Sequence, residues 1–319
     1  MAVLAKGVWC PSQDEADLQA AGLIDKGVHH TISKDASPGA SGKSGFTPDK
    51  DRYHLYASWA CPFASRALVY RSLFGLQETI GLSIVAPTRG ADGWHFETSP
   101  PYVDNVFGKR FLRDIYVAED PTYSGRVTVP VLWDKKKKAM VSNDSGEIMR
   151  MLDLAFNDTP MFLPEGRMQE IDTFNAKVQA NNNFDVYRCG FAKDQATYDE
   201  AFTTLFRSLD ELEERLSSQQ YLLGAELTEC DWRLFTTLVR FDAIYCVHFK
   251  ANLRRISDYP NLPNYLRELY QVPGVAETVD MEHVKTHYYS THRFRNPRGI
   301  VPGGHIVDFN LPHDRVRFG

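Results

Sequence analysis

A strand-like run that leads straight into a cysteine, a proline and a helix constrains this chain more than any other stretch. Arg52-Tyr-His-Leu-Tyr-Ala-Ser58 shows the partial alternation of a β-strand. After Trp59-Ala-Cys-Pro62, apolar residues recur at helical spacing: Phe63, Ala67, Leu68, Tyr70 and Phe74. Pro62 suits a first helical turn and Gly75 a helix stop. Ile80 to Ala86 then reads as a short apolar strand, so residues 52–86 predict a β-α-β unit.

A second half follows in a different order. Val127-Thr-Val-Pro-Val-Leu-Trp133 reads as a strand containing a proline, Asp134-Lys-Lys-Lys-Lys138 as a turn, and Ala139 to Ser142 as the return strand. Ser142 and Asn143 are good caps for a helix running to about Phe156. A β-α-β half followed by β-β-α is the order of an α/β thioredoxin-like domain. The stretch 87–126 interrupts it. Roughly 40 residues far exceed an ordinary connection, and Trp94, Phe96, Tyr102, Phe107, Phe111, Tyr116 and Tyr123 imply a packed insertion. From about Pro164 the strand signals stop and helical periodicity takes over. Thr228-Glu-Cys-Asp231 has the form of a capping box ahead of a further helix. The expected organisation is an extended lead-in over 1–50, a thioredoxin-like domain over 51–160 and an all-α domain over 161–287. An irregular tail is expected over 288–319.

Composition excludes several functions. A net charge of −5 argues against a nucleic-acid surface, and no apolar run reaches the length of a membrane span. The N-terminal MAVLAKGVWCPSQDEAD lacks the apolar core of a secretory signal. The cysteines Cys10, Cys61, Cys189, Cys230 and Cys246 are odd in number and widely spaced, with no CxxC and no metal-ligand spacing. Free thiols in a reducing, cytoplasmic setting are expected, with no metal.

The chemistry centres on Cys61. At the cap of the 62–76 helix, backbone N–H groups and the helix dipole favour thiolate over thiol, and such cysteines titrate below the free value of about 8.5. Taken blindly, a cysteine is more often a buried bystander; the strand–Cys-Pro–helix context reverses that weighting. Ala64 stands where the partner of a redox pair would be, so an external thiol such as glutathione must clear any disulfide formed at Cys61. A cis proline at Val129-Pro130 would turn the backbone of Val129 outward beside the cysteine, where an extended peptide could pair with it. Asp144-Ser145 opens the next helix; its N–H groups suit a carboxylate and Asp144 an ammonium group.

With these residues in place, the sequence resembles the glutathionyl-hydroquinone reductases, the Xi class of glutathione transferases. The resemblance spans nearly the whole chain. It rests on Cys61-Pro-Phe-Ala64, Gly93-Trp94, Gly125-Arg-Val-Thr-Val-Pro-Val-Leu-Trp-Asp134 and Val141-Ser-Asn-Asp-Ser145. In the second half it rests on Val186-Tyr-Arg-Cys-Gly-Phe-Ala192, Arg240-Phe-Asp-Ala-Ile-Tyr245, His287-Tyr-Tyr289 and Asn296-Pro-Arg-Gly-Ile-Val-Pro302. Phe63 stands where the family usually has Trp, and Asp144 where it usually has Glu. The resemblance implies a glutathione-transferase-type helical domain and a homodimer. It also implies glutathione as co-substrate, bound by Trp94, Arg126, Val127, Thr128, Val129, Asp144 and Ser145. It makes Cys61 the nucleophile, Tyr187 the proton donor to the departing ring carbon, and Tyr245 and Tyr288 stabilisers of the thiolate.

The expected function is glutathione-dependent reduction of glutathionyl-hydroquinones through a mixed disulfide at Cys61. An omega-like thioltransferase or dehydroascorbate reductase would share the lone thiol without needing the tyrosines. A non-catalytic ligand-binding module of the same fold would need neither.

Overall fold

The computed structural model describes residues 2–12, 15–23, 27–38 and 45–318, in two compact units, Met1–Thr159 and Pro160–Gly319. The first begins with a hairpin of β1 (Val3–Ala5) and β2 (Val8–Cys10), followed by helix α1 (Glu15–Ala20). Lys6 and Gly7 turn the hairpin at positive φ, and a Cβ on Gly7 would meet the Pro121 carbonyl oxygen at 2.0 Å. Part of the expected lead-in over 1–50 is therefore regular structure. Strands this short leave too few residues for a period to register in sequence. Residues 39–44 of that lead-in lie outside the described residues.

β3 (Tyr53–Ala57) is buried at every position, as a strand covered on both faces must be. It runs into α2 (Pro62–Leu73), and Gly75 turns the chain in the left-handed region before β4 (Ile80–Ile84). β4 pairs in parallel with β3, completing the β-α-β unit. Next come α3 (Leu112–Glu119), β5 (Gly125–Arg126), β6 (Val131–Asp134), β7 (Ala139–Ser142) and α4 (Ser145–Phe156). The main sheet has the order β4-β3-β6-β7, with β6 antiparallel to both neighbours, and β5 pairs instead with β1. Val127 to Pro130, expected as the first part of a strand over 127–133, is not strand. A proline has no N–H to give a ladder, so the strand starts one residue after it, at Val131.

The insertion 87–126 acts as a cover for the sheet. His54 and Tyr56 share one face of β3. The Tyr56 hydroxyl donates to Asp104 at 3.1 Å, its ring lies 5.9 Å from Phe96, and the Asn105 N–H donates to Ser83 at 3.0 Å. The opposite face carries Tyr53, Leu55 and Ala57, and there Tyr53 meets Phe156 of α4 edge-on.

The second unit is helical. It comprises α5 (Met168–Val178), α6 (Asp185–Phe191), α7 (Gln195–Ser218), α8 (Glu229–Arg240), α9 (Cys246–His248), α10 (Leu262–Tyr270) and α11 (Met281–Thr291). The expected irregular tail from 288 thus begins later, because α11 runs through Thr291. Two π-helical stretches interrupt the regular helices, Gln179–Phe184 before α6 and Phe241–Tyr245 after α8. Buried amides anchor the first: Ser208 donates to Asn182 at 3.0 Å and Thr237 donates to Asn183 at 2.9 Å. In the second, the carbonyl of Ala243 accepts from the Tyr289 hydroxyl at 3.0 Å. The tail returns to the helices through Arg315, whose buried guanidinium donates to the carbonyls of Leu216 in the last turn of α7 and of Gln219 just past it. Among the described residues no helix is long and apolar enough to cross a membrane.

Candidate active site

Cys61 caps α2 from an extended conformation, with Pro62 in the first turn. Proline is tolerated there because its missing N–H has no intrahelical partner to lose. The thiol is partly exposed, and its Sγ lies 3.7 Å from the carbonyl oxygen of Val129, to which it donates. It makes no side-chain hydrogen bond to the helix end. The N-terminal field of α2 therefore acts on the sulfur through space.

Val129 lies beside Cys61. Its peptide bond to Pro130 is cis, and its carbonyl reaches Cys61. The preceding residues are held by the insertion. The Tyr116 hydroxyl of α3 donates to the Thr128 carbonyl at 2.8 Å and accepts from the Thr128 N–H at 3.2 Å. Arg126 ends β5 and Val127 is buried. Asp144 caps α4, accepting from the Glu147 N–H at 2.9 Å while remaining exposed, and Ser145 is buried in the first turn.

Phe63 has a definite contact. The guanidinium of Arg66, one turn further along α2, lies 5.0 Å from its ring centre and donates to the Ser145 hydroxyl at 3.3 Å. An aromatic face at this position thus holds the cation that joins the start of α2 to the start of α4. Trp94 is buried in the insertion, where its carbonyl accepts from the Leu112 N–H at 3.0 Å.

One residue near the thiol escaped the sequence reading. Arg89 places its guanidinium 5.3 Å from the centre of the Trp94 ring. Burial pushes its pKa down, and attraction to the charge on Cys61 opposes that shift. A lone arginine in a loop carries no sequence signal of its own; its proximity to Gly93-Trp94 was the available hint. A cation beside a thiol favours the thiolate. Arg89→Met is therefore expected to slow alkylation of Cys61 by iodoacetamide at pH 7 by roughly two- to fivefold. An unchanged rate would separate Arg89 from the thiol.

The three tyrosines lie in the second unit and form one hydrogen-bonded group. The hydroxyls of Tyr187 (α6) and Tyr288 (α11) are 2.6 Å apart, and those of Tyr288 and Tyr245 are 3.4 Å apart. Tyr245 and Tyr288 are buried, whereas Tyr187 is partly exposed. Burial holds the Tyr288 phenol well above its ordinary pKa, so it stays protonated and able to donate. The adjacent Tyr289 is engaged elsewhere, on the Ala243 carbonyl, which separates the roles of the two neighbours. One π-helical stretch runs into α6, which carries Tyr187, and the other contains Tyr245; such stretches are frequent at functional sites.

The remaining cysteines differ from Cys61. Burial pushes the thiols of Cys189 and Cys230 up to about 12 and raises that of Cys246. Among the described residues, no group of three or more His, Cys, Asp or Glu side chains is placed to hold a metal ion.

Comparison with known proteins places the chain in a family. The glutathione S-transferase N-terminal domain family matches residues 60–155, and the C-terminal domain family matches residues 195–268. The chain is 47% identical over 295 residues to the glutathionyl-hydroquinone reductase YqjG of Escherichia coli, covering 90% of each chain. It is 45% identical over 309 residues to the glutathionyl-hydroquinone reductase PcpF of Sphingobium chlorophenolicum, covering 95% of this chain and 96% of that one. The glutathione-bound structure of YqjG superposes with a TM-score of 0.91 over 99% of this chain and all (100%) of its own, at 44% identity. The Xi-class transferase of Natrialba magadii also gives 0.91, at 40% identity, covering 99% of this chain and 97% of that one.

Proposed function

We propose, from the premise that this chain belongs to the glutathionyl-hydroquinone reductases of the Xi class of glutathione transferases, that it reduces glutathionyl-hydroquinones with glutathione. Cys61 attacks the sulfur that joins glutathione to the aromatic ring. A sulfur–sulfur bond forms and the carbon–sulfur bond breaks, with its electron pair passing to the ring carbon. A carbanion is a poor leaving group, so Tyr187 delivers a proton there. Tyr245 and Tyr288 keep the thiolate-stabilising role that the resemblance implies, and Tyr288 also donates to the phenolate left on Tyr187. A second glutathione gives up its thiol proton, which restores the Tyr187 phenol, and its thiolate attacks the mixed disulfide at Cys61, giving glutathione disulfide and restoring the Cys61 thiolate.

The first unit's residues suit the peptide. Val129 presents its backbone beside Cys61, the start of α4 at Ser145 takes a carboxylate, and Asp144 takes the ammonium group. Arg126, Val127, Thr128 and Trp94 complete this set, and Arg89 adds a cation beside the thiol. We assign the protein to the cytoplasm, where glutathione keeps thiols reduced, and to a homodimer, as the family resemblance implies.

The observation that carries the reading is the 2.6 Å hydrogen bond between Tyr187 and Tyr288. Disulfide exchange needs no acid for a carbon leaving group, whereas carbon–sulfur cleavage does. The test supplies a glutathionyl-hydroquinone with reduced glutathione and follows free hydroquinone and glutathione disulfide. Tyr187→Phe is expected to lower carbon–sulfur cleavage by about a hundredfold while lowering reduction of a glutathionyl disulfide by less than about threefold. Equal losses in both reactions, or turnover of the disulfide alone by the native protein, would favour an omega-like thioltransferase.

A further inference from the structure

Arg295 follows α11 in a turn fixed by local hydrogen bonds. The N–H groups of Arg295 and Asn296 donate to the His292 carbonyl at 2.9 and 3.0 Å, and the Asn296 side chain donates to the carbonyls of Tyr289 and Ile300. From this turn the guanidinium lies 5.3 Å from the ring centre of Phe191, 5.8 Å from Phe249 and 5.0 Å from Phe294. Two of these rings also line the phenol group: Tyr187 is 5.4 Å from Phe249 and 6.2 Å from Phe191, centre to centre. Phe191 and Phe294 remain 40% and 66% exposed, so the basket is open to a ligand.

No carboxylate among the described residues forms an ion pair with Arg295, and its buried Nε has no hydrogen-bond partner. Its titratable neighbour is His248, which burial and the positive charge of Arg295 hold down at about 4, hence neutral at physiological pH. His248 in turn is hydrogen-bonded to His292 at 3.2 Å. A guanidinium set among apolar rings, with an unsatisfied donor, is suited to a planar anion carried on an aromatic ring. A carboxylate matches its fork in two parallel hydrogen bonds, and partial desolvation strengthens them.

We infer that Arg295 selects substrates whose aromatic ring carries a carboxylate, with Phe191 and Phe249 placing that ring beside Tyr187. This rests on the reaction proposed above and names the class of hydroquinone it acts on. The supply reaction would be oxidation of a carboxylated hydroquinone to its quinone, followed by addition of glutathione.

The test compares two glutathione adducts of similar shape, those of carboxy-1,4-benzoquinone and methyl-1,4-benzoquinone. The native protein is expected to favour the carboxylated adduct in kcat/KM by at least about tenfold. Arg295→Gln should remove most of that preference, chiefly through KM, and Arg295→Lys should restore part of it. A purely structural role for Arg295 would lower both adducts alike, and that result overturns the inference. So does equal turnover of both adducts by the native protein, which leaves the reaction itself standing. Turnover of neither adduct would overturn the reaction and the inference together.

Discussion

Cys61→Ser is expected to lower turnover of a glutathionyl-hydroquinone by at least about a thousandfold, equivalent to ~4 kcal/mol of barrier. Serine fills the same space at the start of α2, so folding is preserved. The loss is chemical: an alcohol at this position is not ionised by a helix terminus, and its oxygen cannot form the mixed disulfide on which the proposed second step acts. No other thiol is placed to substitute. Burial raises the pKa values of Cys189, Cys230 and Cys246, leaving them protonated near neutrality. Cys10 sits in the N-terminal hairpin rather than at a helix start. Two measurements check the expectation. Steady-state kcat/KM gives the loss, and intact mass after one turnover with limiting glutathione should show one glutathionyl group on the native protein and none on the variant. Retention of more than about a tenth of the native rate would require a different nucleophile.

The largest stability effect is expected at Asp231. Its carboxylate is completely buried and accepts four hydrogen bonds: from the N–H of Leu222 at 2.9 Å, from the N–H and hydroxyl of Thr228 at 2.9 and 3.0 Å, and from the hydroxyl of Tyr265 at 2.9 Å. These bonds tie the loop before α8 and the body of α10 to the first turn of α8. Asp231→Ala leaves all four donors facing a small apolar cavity, and a buried unsatisfied donor costs about 1–3 kcal/mol. Because relaxation makes such costs sub-additive, the expected loss is about 4 kcal/mol, or roughly 10 °C in the melting of the helical unit. Glu200→Ala, which removes an exposed partner of Arg188, should leave the transition nearly unmoved. Urea unfolding followed by circular dichroism compares the two. Similar midpoints for both variants would remove Asp231 from its role as the anchor of α8.

Both sites show what a sequence does and does not expose. The β-α-β unit and the following hairpin were readable because strand, turn and helix each leave a local pattern, and Cys61-Pro62 lies at the junction of two such patterns. The capping box at Thr228 was readable for the same reason, though the further bonds from Leu222 and Tyr265 were not. The phenol group was different. Tyr187 and Tyr288 are 101 residues apart, and nothing local marks either among the other tyrosines; only the family motifs pointed to them. Arg89 and Arg295 left still less trace. Each lies in irregular chain and gains its meaning from rings and a thiol brought beside it by the fold. The strand expected over 127–133 failed for a physical reason, since Pro130 cannot continue a ladder and the pairing begins after it.

The two π-helical stretches bear on how the proposed proton donor, Tyr187, is aimed. A π turn carries one residue more than an α turn needs, and one residue corresponds to ~100° of rotation and ~1.5 Å of advance. Gln179–Phe184 therefore sets the azimuth at which α6 presents Tyr187, and Phe241–Tyr245 sets that of Tyr245. Each offset is a matter of counting residues rather than of any one side chain. The direction of the phenols is thus held in the length of the chain between buried anchors. A single-residue deletion in either stretch would restore regular helix while swinging a phenol out of the hydrogen-bonded group, so the proposed acid can be lost with every tyrosine still in place.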